Sequence, residues 1–236
     1  MRIREDADGY LRELRAWLEE TRDVPLEGMS DFFTARVGDY EAHMAIWAAA
    51  YARMAELVPA GCRTLLDVGC GTGLELDAIY ARLPQVRVTG VDLCEAMLAQ
   101  LARKHADRQP VLLCADYFEA DLGECAFDAA VSFETLHHFT QEKKQTVFEK
   151  ICRALRPGGV YIEADYIACC AEEEALLFAE CARRRARDGI AAERFVHFDT
   201  PLTLEHETQA LRAAGFARIE ADEAIEGAVI IRAWKG

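Results

Sequence analysis

The run Leu65-Leu66-Asp67-Val68-Gly69-Cys70-Gly71-Thr72-Gly73 carries the strongest chemical signal in the chain. Glycines at alternate positions let a backbone turn tightly and approach a ligand closely. The N–H groups of a helix that follows them face the same ligand, which suits an anion. The spacing argues against a dinucleotide pyrophosphate, because G-x-G-x-x-G counted from Gly69 puts Leu74 where the last glycine belongs. Asp67 also places a carboxylate beside the loop, where an ammonium group is welcome and a pyrophosphate is not. Asp92, in Val88-Thr89-Gly90-Val91-Asp92-Leu93, follows the loop by roughly 20 residues, where an acidic side chain accepts two ribose hydroxyls in folds of this type. Asp116, in Cys114-Ala115-Asp116-Tyr117, offers a carboxylate to an exocyclic amine such as that of adenine. Plainer readings stand beside these: a tight turn for the glycines, a helix N-cap for Asp92 and a turn residue for Asp116.

The elements that must position these residues follow from periodicity. Short apolar runs at Arg63–Val68, Val86–Val91, Val111–Cys114, Phe127–Ser132 and Val160–Asp165 predict strands. Helical patterns at Gly73–Leu83, Leu93–His105 and Gln141–Leu155 alternate with them. Such alternation predicts an α/β fold, a doubly wound, mostly parallel sheet covered on both faces. The ligand-binding residues then lie at the carboxyl ends of adjacent strands. Thr203–Ala213 reads as a helix with Thr203 and His206 near its cap. Phe216–Glu220 and Ala228–Trp234 read as an antiparallel pair at a C-terminal edge.

Residues 1–60 are predicted to form a helical N-terminal cap, with a helix over Asp6–Thr21, a helix start at Ser30 and Asp31, and one or two helices over Phe32–Leu57, broken near Gly38. Residues 61–236 form the binding domain, with an insertion at 167–202 expected in a substrate lid. That insertion begins with a helix over Ala168–Arg187, acidic at its start and basic at its end.

Composition narrows the function classes. The chain has 236 residues, of which 52% are hydrophobic, enough to bury a core without disulfides or metal. Its 27 Lys and Arg against 41 Asp and Glu leave a net charge of −14, which disfavours gripping a nucleic acid backbone. No signal-peptide pattern opens the chain and no apolar run is long enough to span a membrane. Nine scattered Cys without a C-x-x-C motif read as thiols in a reducing cytoplasm. No metal is expected; Cys169, Cys170 and Cys181, or His197, Asp199 and His206 with Glu205 nearby, are the sharper alternatives to that reading.

The ordered set D-x-G-x-G-x-G, VDL, CADYF, FDAAVS, LRPGG and AGF resembles the class I S-adenosylmethionine-dependent methyltransferases over about residues 40–236. The resemblance implies a Rossmann-like fold with S-adenosyl-L-methionine as cofactor. It implies Gly69 and Gly71 on the methionine part and Asp67 beside the loop. Asp92 then takes the ribose, Leu93 the adenine, Asp116 the adenine amine with Tyr117 adjacent, and Ser132 the methionine ammonium. Tyr40 resembles a cofactor-covering tyrosine, with core packing as its plainer role.

Methyl transfer needs an in-line nucleophile held against the donor carbon. A base helps where the acceptor is a hydroxyl or amine. In Phe133-Glu134-Thr135-Leu136-His137-His138-Phe139, His137 is the first candidate for that base and His138 the second; packing is their plainer role. Glu134, Glu163 and Asp165 lie near strand ends and could face a cationic acceptor. The expected partner is a small-molecule methyl acceptor, with a homodimer allowed. The chain from Tyr40 onward is also similar to carboxy-S-adenosylmethionine synthase, a tRNA-modification enzyme. Where that family uses an arginine to hold the extra carboxylate, this chain has Ala210, with Arg212 two residues on. A non-catalytic cofactor-binding regulator on the same fold is the third reading.

Overall fold

Strands that are apolar on both sides build the centre of a seven-stranded sheet. In the computed structural model, which describes residues 3–4 and 6–236, they are β1 (Thr64–Val68), β2 (Arg87–Asp92), β3 (Val111–Cys114), β4 (Phe127–Phe133) and β5 (Leu155–Tyr166), joined by β6 (Phe216–Ile225) and β7 (Ala228–Lys235). The order is β3-β2-β1-β4-β5-β7-β6. The first five strands of that order run parallel. β7 is antiparallel to both β5 and β6, so the C-terminal hairpin forms one edge of the sheet with the last strand inserted inside it. The strand order reverses between β1 and β4, and that switch point opens a crevice at their carboxyl ends.

Helices cover both faces. α4 (Ala48–Leu57), α5 (Leu74–Arg82) and α6 (Glu95–Lys104) pack Met54, Leu76, Ile79 and Leu101 against Leu65, Val131 and Ile162. α7 (Gln141–Ala154) and α9 (Leu204–Ala213) pack Phe148, Ile151 and Leu211 against Leu66, Ala130 and Tyr161 on the opposite face. A third apolar cluster joins α1 (Ala7–Glu20) to α8 (Ala171–Asp188) through Leu11, Leu14, Leu177 and Phe198. No helix among the described residues is long and apolar enough to cross a membrane.

The stretch before β1 is more broken than its periodicity predicts. α2 (Met29–Arg36), α3 (Tyr40–Met44), a 3₁₀ turn (Ala45–Trp47) and α4 replace one or two helices. The breaks leave Tyr40 over the sheet's carboxyl edge, and Trp47 Nε1 donates to the Glu226 carbonyl at 3.1 Å, tying the turn to the β6–β7 hairpin. α8 starts at Ala171 rather than Ala168 because Ala168 pairs with Thr203 in an isolated bridge. β5 begins five residues early: Phe127 pairs with Leu155 before the register shifts to Ala129 with Val160, so a bulge absorbs Pro157 and Gly158.

The other end of the sheet is fastened by Asp128. Its Oδ2 accepts from the Arg63 and Thr64 N–H groups at 2.8 and 3.0 Å, and its Oδ1 from Arg156 at 2.6 Å. Burial opposes ionisation, but these donors outweigh it and hold the carboxyl below its ordinary value. A depressed folded-state value stabilises the fold above the unfolded carboxyl's value near 3.9, and that contribution fades as pH falls through the folded one. Asp128→Asn should therefore be less stable than wild type at neutral pH in urea unfolding. The gap should close as pH falls from about 5 toward 2; a gap independent of pH would count against this anchor.

Candidate active site

The glycine loop leaves β1 and turns back on itself before α5. Gly69, Gly71 and Gly73 have φ of +72°, +46° and +69°, a region in which side chains are strained. The Gly69 N–H donates to the Val91 carbonyl at 2.8 Å, fixing the loop to the end of β2. Asp92 completes the turn: Oδ2 accepts from the Gly71 N–H at 2.9 Å and Oδ1 from the Cys94 N–H at 2.7 Å. One carboxylate thus holds the loop and the start of α6 together. Each of its oxygens keeps acceptor capacity for a further donor.

A cleft opens above these tips. Its walls include Gly69, Gly71, Asp92, Leu93, Asp116, Tyr117, Glu134, Thr135 and His138, roofed by Met29, Phe33 and Tyr40. Asp116 Oδ1 accepts from the Phe118 N–H at 2.8 Å, so it is both a turn former and a wall of the cleft. The Tyr40 hydroxyl comes 3.8 Å from where a Cβ on Gly71 would lie. Burial, then the charges of Glu75 and Asp92, push that phenol up, so it stays neutral. Asp67 does not line the cleft. It is fully buried behind the loop, where burial and the neighbouring Glu75 push its carboxyl up. Neither Asp67 oxygen meets a donor among the described residues.

Ser132 requires a correction. It faces the opposite side of β4 and exchanges a 2.6 Å hydrogen bond with the Tyr161 hydroxyl in the α7–α9 layer. Successive side chains of a strand alternate faces, so Phe133 and not Ser132 meets the cleft. Beyond β4 the chain kinks at Glu134, which has φ +48° and donates its N–H to the Ala164 carbonyl at 2.8 Å. A charged residue held in this region marks a place where the fold accepts strain.

A second chamber of about 550 Å³ adjoins the cleft. Phe32, Phe33, Tyr40 and Trp47 give it aromatic walls, and Glu134, His137, His138, His197 and Asp199 give it polar ones. Phe33, Tyr40, Glu134 and His138 line both spaces. Burial first, then the nearby Asp165 and Asp199, outweigh His137 and raise the Glu134 carboxyl to about 8.

His137 is held at both ring nitrogens. Nδ1 lies 2.5 Å from Asp165 Oδ1 and Nε2 lies 3.5 Å from Asp199 Oδ1. Burial opposes a charged imidazole, but Asp165 and Asp199 prevail and raise it well above its ordinary value. His137 is thereby held in place between two carboxylates. Asp165 is itself fixed by the Leu136 N–H at 2.9 Å and stands 4.0 Å from the buried Lys144 ammonium. Burial works against the Lys144 charge, yet Glu207 at 2.6 Å, Glu163 and Asp165 keep it protonated. His138 differs from its neighbour. Its Nδ1 lies 3.2 Å from the Phe198 carbonyl, and burial, with the His137 charge, lowers it to about 3.

Sequence reasoning passed over the roof from α2, Met97 and Thr135, because residues that shape a cleft carry no motif. The grouping of His197, Asp199 and His206 does not assemble. His206 Nδ1 is held 2.7 Å from Glu174, and His197 stacks on Phe32 with centroids 3.5 Å apart. Cys169 and Cys170 have sulfurs 3.9 Å apart, and no cysteine belongs to a metal-like cluster among the described residues. Ala210 lies on the buried side of α9 and Arg212 is exposed; neither lines the cleft.

Comparison with known proteins agrees with this geometry. Residues 65–159 match a family model described as a methyltransferase domain. An uncharacterized methyltransferase of Mycobacterium tuberculosis is 33% identical over 111 residues, 47% of this chain and 54% of that protein. The O-methyltransferase cnsE of Penicillium expansum is 29% identical over 164 residues, 68% of this chain and 52% of that one. The chain thus spans about half the length of the curated relatives it matches. Human N-acetylserotonin methyltransferase, solved with SAM, superposes with a TM-score of 0.62 at 17% identity, covering 83% of this chain and 54% of that chain.

The loop geometry yields a direct test. A Cβ on Gly69 would lie 2.2 Å from Thr135 Cγ2, at a φ of +72°. Gly69→Ala should lower stability by about 2 kcal/mol or more, from backbone strain plus the clash. Thermal and urea unfolding measure this, and an unchanged midpoint would mean the loop is not held as described.

Proposed function

We propose that this chain is a class I S-adenosylmethionine-dependent methyltransferase, a reading supported by its match to a methyltransferase-domain model over residues 65–159 and by its similarity to methyltransferase relatives, and that it methylates a small molecule bearing an O–H or N–H group, held in the second chamber. One observation carries the reading: the cleft is lined by Asp92, Asp116 and Glu134 and by no Lys or Arg among the described residues. A nucleotide phosphate would find no countercharge there. A sulfonium nucleoside with an ammonium tail brings its own positive charges, and its sugar and base need the acceptors present.

The residues fit such a ligand. The backbone of Gly69 and Gly71 lines the space for the amino-acid tail. Asp92 has lone pairs left for two ribose hydroxyls. Asp116 serves the adenine amine, with Leu93 and Tyr117 as apolar walls. When bound, S-adenosylmethionine supplies an electrophilic methyl group on sulfur.

The chain's own residues do the rest. Tyr40 and Phe33 close the boundary between the two spaces and exclude water. Glu134 lines both, so its carboxylate is placed to take the acceptor's proton as the new bond forms. His137, fixed between Asp165 and Asp199, is a positioning residue, and His138 orients the acceptor from the chamber wall. Most of the acceleration in this scheme comes from holding two reactants in line rather than from acid–base strength.

Calorimetry with cofactor-stripped protein tests the reading. S-Adenosylhomocysteine should bind saturably at one site, and Asp92→Ala should weaken it by about 1–3 kcal/mol through lost charged hydrogen bonds. Absence of binding to the wild-type chain would overturn the assignment.

A further inference from the structure

The wall of the second chamber brings together three groups that ordinarily bind metal. Asp199 Oδ1 lies 3.5 Å from His137 Nε2 and 3.4 Å from His138 Nδ1. The ligating atoms of the three side chains all lie within 4.8 Å of one another. Bonds of 2.0–2.1 Å to a tetrahedral ion place neighbouring donors about 3.3 Å apart, close to both measured spacings. From this we propose that His137, His138 and Asp199 form a site for a divalent transition ion of the zinc class, with its remaining coordination positions open to the acceptor chamber.

A second feature points the same way. Histidines that ligate metals almost always turn their other ring nitrogen to a carboxylate, which sets the tautomer and the ring's direction. His137 does this with Asp165, a fully buried residue anchored by the N–H groups of Leu136 and Tyr166 at 2.9 and 3.0 Å. The Nε2 edge is thereby aimed at Asp199, and an ion bound there takes the place of the Nε2 proton, which is released to solvent. The Asp199 side chain is 43% exposed, and its exposed surface borders the chamber. His138 Nδ1 also lies 3.2 Å from the Phe198 carbonyl, so ligation through Nδ1 moves the ring proton to Nε2. An ion there would be bound by two nitrogens and one carboxylate, a set that suits zinc, cobalt or iron rather than magnesium or calcium.

The chemical consequence rests on the proposed methyl transfer. An acceptor oxygen or nitrogen entering an open position would be polarised and would lose its proton more readily. The site would then select acceptors with a metal-binding atom beside, or at, the methylated position.

The test uses the full chain, stripped with a chelator and titrated separately with Zn²⁺ and Co²⁺. One equivalent should bind saturably, and bound Co²⁺ should show the visible absorption of a four- or five-coordinate ion. Asp199→Asn and His137→Gln should each weaken binding at least tenfold, and Asp165→Asn should weaken it by about tenfold to a hundredfold. His206→Gln, at the separate Glu174 pair, should leave it unchanged. S-Adenosylhomocysteine affinity and circular dichroism are recorded for each variant, so loss of the fold is told apart from loss of the site. The proposal fails if the wild-type chain takes up no single equivalent, or if uptake survives Asp199→Asn in a folded protein. It stands, and the methyltransferase reading falls, if the metal binds with these variant effects while S-adenosylhomocysteine does not.

Discussion

Carboxyl groups around a cleft that no described Lys or Arg lines are the constraint on which this molecule turns. Asp92, Asp116 and Glu134 sit at the ends of parallel strands around a cleft that no described Lys or Arg lines. Behind the glycine loop, Asp67 and Glu75 add a pair of buried acids. Burial raises Asp92, and burial with the neighbouring Glu75 raises Asp67, so a ligand that brings its own positive charge meets no opposing one here. The fold tolerates the arrangement because backbone N–H groups satisfy Asp92 and Asp116 from within, leaving the cleft itself to the ligand.

A continuous buried ionic path leads from this rim to the back of the domain. Glu207 on α9 holds Lys144 on α7, Lys144 faces Asp165 on β5, Asp165 holds His137, and His137 meets Asp199. Removing one partner of such a path leaves an uncompensated charge in the core, at a cost of about 3–5 kcal/mol. The path fixes the His137 ring, and with it the wall of the second chamber, from elements on the far face of the sheet. The His137 backbone carbonyl also accepts from the Thr200 N–H at 2.7 Å, so the segment carrying Asp199 is tethered to the same turn.

The parts written in local sequence were legible. Strand–helix alternation led to the doubly wound sheet because each apolar run is short and bounded by turn residues. The glycine loop and Asp92 stood out because a turn with positive φ and a strand-end carboxylate each need particular residue types. Ser132 was misplaced because β4 is buried on both sides, and a strand of that kind carries no alternation to say which face looks at the cleft. His137 and His138 were offered as the base because a histidine titrates in the right range. The three carboxylates around His137 come from β5, the turn after β4 and the segment before α9, and no pattern in sequence joins them. The fragmentation of α2, α3 and α4 was equally hidden, since contacts with the β6–β7 hairpin help hold those pieces in place.

The central claim is that a sulfonium nucleoside lies across the strand tips with its reactive end at the boundary of the two chambers. A crystal structure of the chain grown with S-adenosylhomocysteine tests it most directly. The account requires ribose hydroxyls on Asp92, the amino-acid tail over Gly69 and Gly71, and the sulfur turned toward Glu134 and the second chamber. A nucleoside bound elsewhere, or one whose sulfur points away from Glu134, would contradict it.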